Sequence, residues 1–450
     1  MFMPGIEEVE SVARALRDRN TTRRGEMQFS VQRLYSDLST RQQLRALEPT
    51  RRGVRKIVIA TSIAETSVTI SDVRYVVDSL FTKIQAYNPL TSSESFALQP
   101  VSKASAIQRA GRAGRQQSGK VYRLCTEADF ESTLREHTIP AMQRSALAWI
   151  VLQLKALGVD DVLHFDFVSP PSAAALCDGL ELLFALGAID ERGDLTDPLG
   201  LYMAEFPVEP RVSKMLLSSF EFGCSEEALI VAAMTSARDI FMRPPNGRDR
   251  EKIEEREKCL RSFGDSSGDH ASLLCVYREY IKNQRDRNWC NENFLNARVL
   301  DHVFEIHRQL TRYLRRFAPS DQQDSFVSCG DDSEALLKCV SSGFFCNCAR
   351  LVSSGNYRTI RGNREVMLHP SSMLVRLSKL PNWIIFHDVV FTTREYVRDV
   401  SGINPHWIET IASHFYEVQE SSNYLGDVAT NSTNTTSGDD ARKKRKYDLL

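Results

Sequence analysis

Gln108-Arg109-Ala110-Gly111-Arg112-Ala113-Gly114-Arg115 spaces its arginines every third residue, with only alanine and glycine between them. On a helix the i, i+3 spacing sets Arg109, Arg112 and Arg115 along one face, and the small residues let a neighbouring domain approach closely. Guanidinium groups presented this way suit phosphate oxygens and can stabilise charge on a transferring phosphoryl group. A solvated basic turn has the same composition, and only the surroundings of the motif separate the two.

Upstream, Ile57-Val58-Ile59-Ala60 is a short β-branched run that predicts a buried strand, followed by the hydroxyl-rich stretch Thr61-Ser62-Ile63-Ala64-Glu65-Thr66-Ser67-Val68-Thr69-Ile70. A hydroxyl-rich loop after a buried strand is where ligands bind in open α/β sheets. Three further blocks stand around these: Phe2-Met3-Pro4-Gly5-Ile6-Glu7-Glu8, Leu34-Tyr35-Ser36-Asp37-Leu38 and Tyr87-Asn88-Pro89. In order and spacing the set closely resembles the second RecA-like domain of DEAH-box RNA helicases, over residues 1–130.

The resemblance carries roles with it. Arg112 and Arg115 match the arginine fingers that reach across a cleft to ATP phosphates, and Gln108 matches the residue that helps position the attacking water. With them, Thr69 and Ser71 fall on the nucleotide side. Ser36, Thr61 and the loop at Thr66 and Ser67 match sequence-independent contacts to the RNA backbone and the sensor of nucleotide state. Residues 78–100 match a strand-separating β-hairpin that holds Lys83 and Tyr87. Three positions depart from the family pattern: Ser62 replaces an asparagine, Ser71 an aspartate near the ribose, and Leu80 a glycine before Phe81. The last matters if that glycine needs positive φ, which a γ-branched side chain resists.

A helicase of this family also needs a phosphate loop, G-x-x-x-x-G-K-[ST], and an Asp-Glu-x-His box for magnesium. Gly114-Arg115-Gln116-Gln117-Ser118-Gly119-Lys120-Val121 has the glycines and the lysine but puts Val121 where the metal-binding hydroxyl belongs, and Asp190-Glu191 is followed by Arg192-Gly193. The expectation is therefore a C-terminal portion without the first RecA-like domain, with ATP and Mg²⁺ bound mainly by that domain and no ATP hydrolysis by this chain in isolation.

At 450 residues and 42% hydrophobic, the chain predicts several domains, each with its own core. A net charge of −1 gives no global attraction to nucleic acid, so such binding must come from local patches. Ten cysteines at irregular spacing, no signal peptide and no bilayer-length apolar stretch predict reduced thiols and no membrane partner. Cys329, Cys339, Cys346 and Cys348 invite a zinc reading, but structural zinc usually takes close C-x₂₋₄-C pairs. Cys346 and Cys348 alternate with Asn347 as on a strand, which favours buried free thiols and no metal.

The fold class is multi-domain α/β and α+β: a RecA-like α/β domain, a winged helix, a helical ratchet bundle and an OB-like β-barrel. After residue 130, apolar stretches Ile150–Gly158 and Leu180–Gly187 each read as a helix stopped by glycine, and Leu195-Thr196-Asp197-Pro198-Leu199-Gly200 reads as a turn carrying a wing. Winged helix is accordingly expected over 131–200. A bundle is expected over 201–315, with Arg298, Arg308, Arg312, Arg315 and Arg316 as phosphate contacts or ordinary salt bridges, and Arg243–Arg250 as an exposed loop. Alternating runs at Tyr357–Ile360, Glu365–Ser372 and Trp383–Phe391 predict the barrel, over 316–417. His369, before proline at a strand end, reads as structural. A disordered tail over 418–450 ends in the basic run Arg442-Lys443-Lys444-Arg445-Lys446, a nuclear-import or RNA-binding patch.

The function so implied is ATP-driven translocation on RNA and its unwinding, in pre-mRNA splicing or ribosome biogenesis. The partners are single-stranded RNA, a G-patch-type activator and a spliceosomal or other ribonucleoprotein complex, in the nucleus or nucleolus, or the cytoplasm. The alternative is a non-catalytic fragment that binds RNA or protein. A scaffold without RNA function and a DNA helicase are further readings, since phosphate contacts separate RNA from DNA poorly.

Overall fold

The computed structural model describes residues 1–22, 29–36, 38, 40–49, 53–66, 70–89, 93–114, 118–242, 250–320, 322, 326–391, 394–417 and 447–448. They form two units, Met1–Ala86 with Phe96–Ser145, and Tyr87–Ser95 with Ala146–Leu450.

In the first unit the chain runs through α1 (Ile6–Thr22), β1 (Phe29–Leu34), α2 (Thr40–Leu47), β2 (Arg55–Ala60), α3 (Ile63–Thr66), β3 (Tyr75–Asp78), β4 (Phe81–Asn88), β5 (Ser93–Pro100), α4 (Lys103–Ala110), β6 (Lys120–Arg123) and α5 (Glu127–Thr133). Strand β1 pairs in parallel with β2, and β3 with β6; Phe2 bridges Ala60 and Asp78, again in parallel. The sheet therefore runs β1-β2-Phe2-β3-β6, with Phe2 at its centre. Helix α1 carries Glu7 and Glu8 in its first turn, where the helix dipole favours anions, and packs Val9 and Ala13 against Met3, Tyr35 and Ile59. On the other flank Val76 and Ala113 share a core with Phe2, Leu34 and Ala60. Lys120 opens β6, so the phosphate-loop-like string leads into a strand and not into a helix.

Strands β4 and β5 form the hairpin expected over 78–100, and its tip, Tyr87–Ser95, belongs to the second unit. There Tyr87 donates to Asp178, which Arg361 also holds at 2.9 Å.

The second unit continues with α6 (Ala148–Ala156), α7 (Ala173–Ala185) and α8 (Leu199–Glu205). The first two end ahead of Gly158 (φ 85°) and Gly187 (φ 75°), as the glycines predict. The wing is displaced from the expected turn. Ile189 and Leu195 form its antiparallel bridge, while 195–200 turns into α8, with Thr196 Oγ1 donating to Gly187 O at 2.7 Å and accepting from Gly200 N at 3.0 Å.

The bundle holds α9 (Pro210–Ser218), α10 (Ser225–Ser236), α11 (Arg250–Phe263), α12 (Asp269–Lys282), α13 (Arg287–Glu292), α14 (Ala297–Arg315) and α15 (Ser333–Phe344). Helix α10 is apolar almost all round because it lies in the middle, against α9, α12, α14 and α15. The expected loop at Arg243–Arg250 lies outside the described residues up to 249.

The barrel follows: β7 (Cys348–Leu351), β8 (Tyr357–Thr359), β9 (Glu365–Leu368), β10 (Trp383–Phe391) and β11 (Glu395–Gly402), then α16 (Pro405–Ile411). Its order is β11-β9-β8-β7-β10, closed by antiparallel β10–β11 pairing around Ala349, Tyr357, Val366, Ile384 and Val400. The hairpin tip adds to its edge, Glu94 and Ser95 pairing in parallel with Val390 and Phe391. Tyr447–Asp448, expected in the disordered tail, pair instead with Tyr416–Glu417; the rest of 418–450 lies outside the described residues.

Bundle and barrel meet at the start of α12. Asp269 accepts from Ser372 Oγ (3.1 Å), Met373 N (2.7 Å) and Val400 N (2.8 Å), and His270 Nδ1 lies 2.7 Å from Ser401 Oγ. Gly268, at φ 128°, makes the contact possible: a Cβ there would stand 2.5 Å from Ser401 Cα.

Candidate functional site

Parallel strands end at one edge, so β1, β2 and Phe2 deliver the residues after them to the same side of the first unit's sheet. From Phe2 the chain passes to β1 and β2 on one side and to β3 on the other, and an open α/β sheet binds ligands at such a reversal. Ser36 follows β1 and is exposed; Thr61 follows β2, its N–H donated to Leu34 O at 3.2 Å. Gln43 on α2 fixes the loop after β1, its amide donating to Ser36 O (3.1 Å) and Leu38 O (2.9 Å). Thr66 ends α3 and is exposed, as is Ser71; Ser67 and Thr69 lie outside the described residues.

The arginine motif leaves the α-helix earlier than its spacing suggests. Helix α4 is capped by Ser102, whose Oγ accepts from Ser105 N, and stops at Ala110. From there the N–H groups of Arg112, Ala113 and Gly114 donate to the carbonyls three residues back, at 3.2, 3.0 and 3.4 Å. Three residues per turn eclipse positions i and i+3, so Arg109 and Arg112 still share a face. Arg115 lies outside the described residues.

That face turns inward. Arg109, 1% exposed, donates from Nε to Glu65 Oε2 (3.0 Å) and from Nη1 to Asp78 Oδ1 (2.9 Å), with its guanidinium 5.0 Å from the Phe2 ring centre. A buried guanidinium needs such pairing, so Arg109 ties the domain together and does not face a phosphate. Arg112, 9% exposed, donates to the Glu65 backbone carbonyl, while Gln108 points to solvent. Glu65 Oε1 also accepts from Ser105 Oγ at 2.6 Å. One glutamate in the hydroxyl-rich loop thus gathers Ser105, Arg109 and Arg112 from the arginine segment. Sequence reasoning passed over Glu65 and Asp78; the available signal was a lone carboxylate in a run of hydroxyls, 44 residues from the arginine it meets.

The groups on this edge are hydroxyls, an amide and guanidinium, which suit phosphate and ribose oxygens. Among the described residues no cluster of three His, Cys, Asp or Glu side chains converges to hold a metal ion. Of the four cysteines weighed for zinc, Cys339, Cys346 and Cys348 are buried and Cys329 half-buried; burial pushes the Cys346 thiol up to about 11 and the Cys329 thiol to about 12.

Lys83, on β4, pairs with Glu8 at 3.3 Å. Arg298 stands exposed on α14, in the second unit. Of its neighbours Arg308 pairs with Glu305 (3.1 Å) and Arg316 with Glu205 (2.6 Å), Arg315 lies over the Phe326 ring, and Arg312 is exposed. Part of the expected phosphate face is thus taken up in salt bridges. His369 bonds Ser371 at 2.6 Å and stands edge-on to Tyr396, a structural placement.

Four family models match in the order the domains appear. They are the helicase conserved C-terminal domain over 1–117, the winged-helix helicase-associated domain over 179–208, its ratchet-like companion over 209–273, and an oligonucleotide/oligosaccharide-binding fold over 336–416. Together with the relatives that follow, they show that the chain carries the C-terminal set of domains of a DEAH-box helicase. It is 44% identical over 419 residues to the probable ATP-dependent RNA helicase DHX35 of Homo sapiens, covering 92% of this chain and 58% of that protein. The protein of the same name from Pongo abelii matches at 44% over 419 residues, 92% of this chain and 56% of its own length. The chain thus spans a little over half the length of these relatives.

Proposed function

We propose that these residues are the second RecA-like domain and the auxiliary domains of an ATP-dependent RNA helicase, which grips single-stranded RNA by its backbone while ATP is hydrolysed. The observation that carries this reading is the Glu65 junction, where the loop matched to RNA contact and the segment matched to the arginine fingers share one residue. ATP, when bound, supplies the phosphoryl transfer whose charge the fingers neutralise. Gln108, Ser71 and the finger positions Arg112 and Arg115 are the groups this chain would turn to its phosphates and ribose, with Mg²⁺ held elsewhere. Because Arg112 is engaged with the Glu65 carbonyl, presenting it to a phosphate requires that bond to be exchanged, which links the finger to movement of the loop.

RNA contacts then fall to Ser36, Thr61, Thr66, Ser67 and Lys83, with Arg298 on the ratchet. Work in splicing or ribosome biogenesis, a nuclear location served by the basic run 442–446, and a G-patch-type activator complete the reading.

The test is RNA-stimulated ATP hydrolysis by the full-length protein. Arg112→Lys should lower kcat by about a thousandfold while single-stranded RNA affinity is retained. Stimulated hydrolysis that survives Arg112→Lys removes the finger assignment; a wild-type protein that neither binds RNA nor responds to it removes the function.

A further inference from the structure

The hairpin base, the end of α3 and residues 133–144 enclose a cleft of about 650 Å³ that lies wholly within the first unit. This is the size range of small-molecule and nucleotide sites. We propose that it takes one nucleotide of a single-stranded nucleic acid, its base stacked on Phe96 and its phosphate on Lys83 and Arg135. The inference deepens the helicase reading and rests on it.

Three observations support the assignment. The first is charge. Lys83, Arg135 and Arg144 line the cleft against a single carboxylate, Glu65, which is already committed to Arg109 and Ser105. The Arg135 side chain is exposed and has no ion-pair partner among the described residues. Lys83 holds Glu8 at 3.3 Å, but both side chains are more than a third exposed, and such a pair contributes little and exchanges readily with a phosphate.

The second is the aromatic. Phe96 lies 49% exposed on β5 at the cleft wall. An exposed phenylalanine among basic and hydroxyl groups is the arrangement by which single strands are held without base preference, the ring meeting the π-face that every base has. Thr82 and Thr138 add hydroxyls that suit sugar and phosphate oxygens.

The third is preorganisation. The wall carrying Arg135 is fastened to α4, with Lys103 N donating to Arg135 O (2.8 Å), Ala104 N to Glu136 O (3.1 Å), and Ser102 and Thr138 hydroxyls 3.0 Å apart. Arg144 fastens its far end to the hairpin by donating to Gln85 O (3.3 Å), and braces the wall itself by donating to Ile139 O (3.2 Å). A cleft held open by backbone bonds has little ordering left to do when a nucleotide enters.

The experiment is a fluorescence-anisotropy titration of the full-length protein with a labelled oligouridylate across a salt series. Phe96→Ala should weaken binding by about 5- to 100-fold, and Phe96→Tyr, which keeps the ring, should bind like the wild type. Arg135→Gln, a change at an exposed side chain, should reduce the slope of log affinity against log salt by about 1. Melting temperatures equal to wild type exclude misfolding, and Arg135→Gln carries the test should Phe96→Ala fail to fold. If the wild type binds the oligouridylate and both Phe96→Ala and Arg135→Gln bind it equally well with an unchanged slope, the cleft proposal is overturned and the helicase reading stands. If the wild type does not bind, both fall together.

Discussion

At Leu80 the backbone adopts φ 61° with a γ-branched side chain attached, a conformation that costs an ordinary residue about 1–2 kcal/mol. The surroundings hold it there. Leu80 N donates to Asp78 Oδ1 (2.9 Å), its carbonyl accepts from Val101 N (2.8 Å), and the side chain is 2% exposed among Val101, Ala106 and Leu134. Burial of a leucine contributes about 1.5–3 kcal/mol, which offsets the strain, so the departure from glycine is accommodated by the core beside the hairpin. Leu80→Ala keeps the strain and loses the burial, a loss of about 3 kcal/mol. Leu80→Gly loses the same burial and releases the strain, so urea unfolding should find it no less stable than Leu80→Ala. That reverses the usual order, in which glycine is worse by about 0.5–1 kcal/mol, and a clearly weaker glycine variant would contradict it. Arg109 carries a second expectation. Asp78 Oδ2 is buried with no hydrogen-bond partner among the described residues, and Arg109 is the cationic side chain paired with Asp78, whose Oδ1 also accepts from Leu80 N. Arg109→Ala should therefore destabilise the first unit by about 3–5 kcal/mol, and Arg109→Ala combined with Asp78→Asn should recover part of the loss; equal loss in the double variant would deny the coupling.

Where α12 meets the barrel, two acids and two histidines oppose each other in pH. Burial drives the His270 pKa down to about 4 and that of His387 well below its usual range, whereas burial and the nearby Asp269 raise Asp399 to about 7, and burial raises Asp269. A histidine kept neutral in the fold is protonated first in the unfolded chain, so as pH falls from 6.5 towards 4 His270 withdraws about 3 kcal/mol of stability. An acid raised in the fold has the opposite sign: its contribution is full below the ordinary carboxylate pKa and is lost as pH rises through about 7. Asp399 is partly open to solvent, which reduces its share. The two sets act in opposite directions between pH 4 and 6.5, with Arg376 beside Asp269, Arg398 and Arg238 near Asp399, and Arg211 near His387 as the fixed charges. Asp399→Asn, tolerable at φ 52° because asparagine enters the left-handed region, should lose stability on acidification more steeply than wild type, and His270→Gln less steeply. Urea midpoints measured from pH 7 to 4.5 decide this; parallel curves for all three proteins would remove the opposition.

Across the whole molecule, the elements legible in the sequence were those with a local signal. The β-branched run at Ile57–Ile59, the glycines after α6 and α7, and the alternating stretches of the barrel each name their structure within a few residues. Glu65, which reaches Ser105 and Arg109, and Phe2, which becomes the central strand through single bridges, have meaning only through partners 40 to 76 residues away, where periodicity carries no information. The inward turn of Arg112 was hidden for the same reason: nothing in its own segment marks the Glu65 carbonyl it meets. The hairpin tip gives a prediction at this scale. A fragment of 146–450 lacks the strand at Glu94–Ser95 and the Tyr87 hydroxyl on Asp178, leaving Val390 and Phe391 on an open edge, so it should be less stable and more prone to aggregate than the same domains in the whole chain, as light scattering on heating would show. Glu94 also meets Val390, 296 positions further on, and so it is synthesised long before its partner. At roughly 5–20 residues per second, the ribosome leaves the tip strand without that partner for about 15–60 seconds. During that interval a nascent chain carries an unfilled strand edge, an open row of backbone groups that another unfolded chain can pair with while the barrel is still being made.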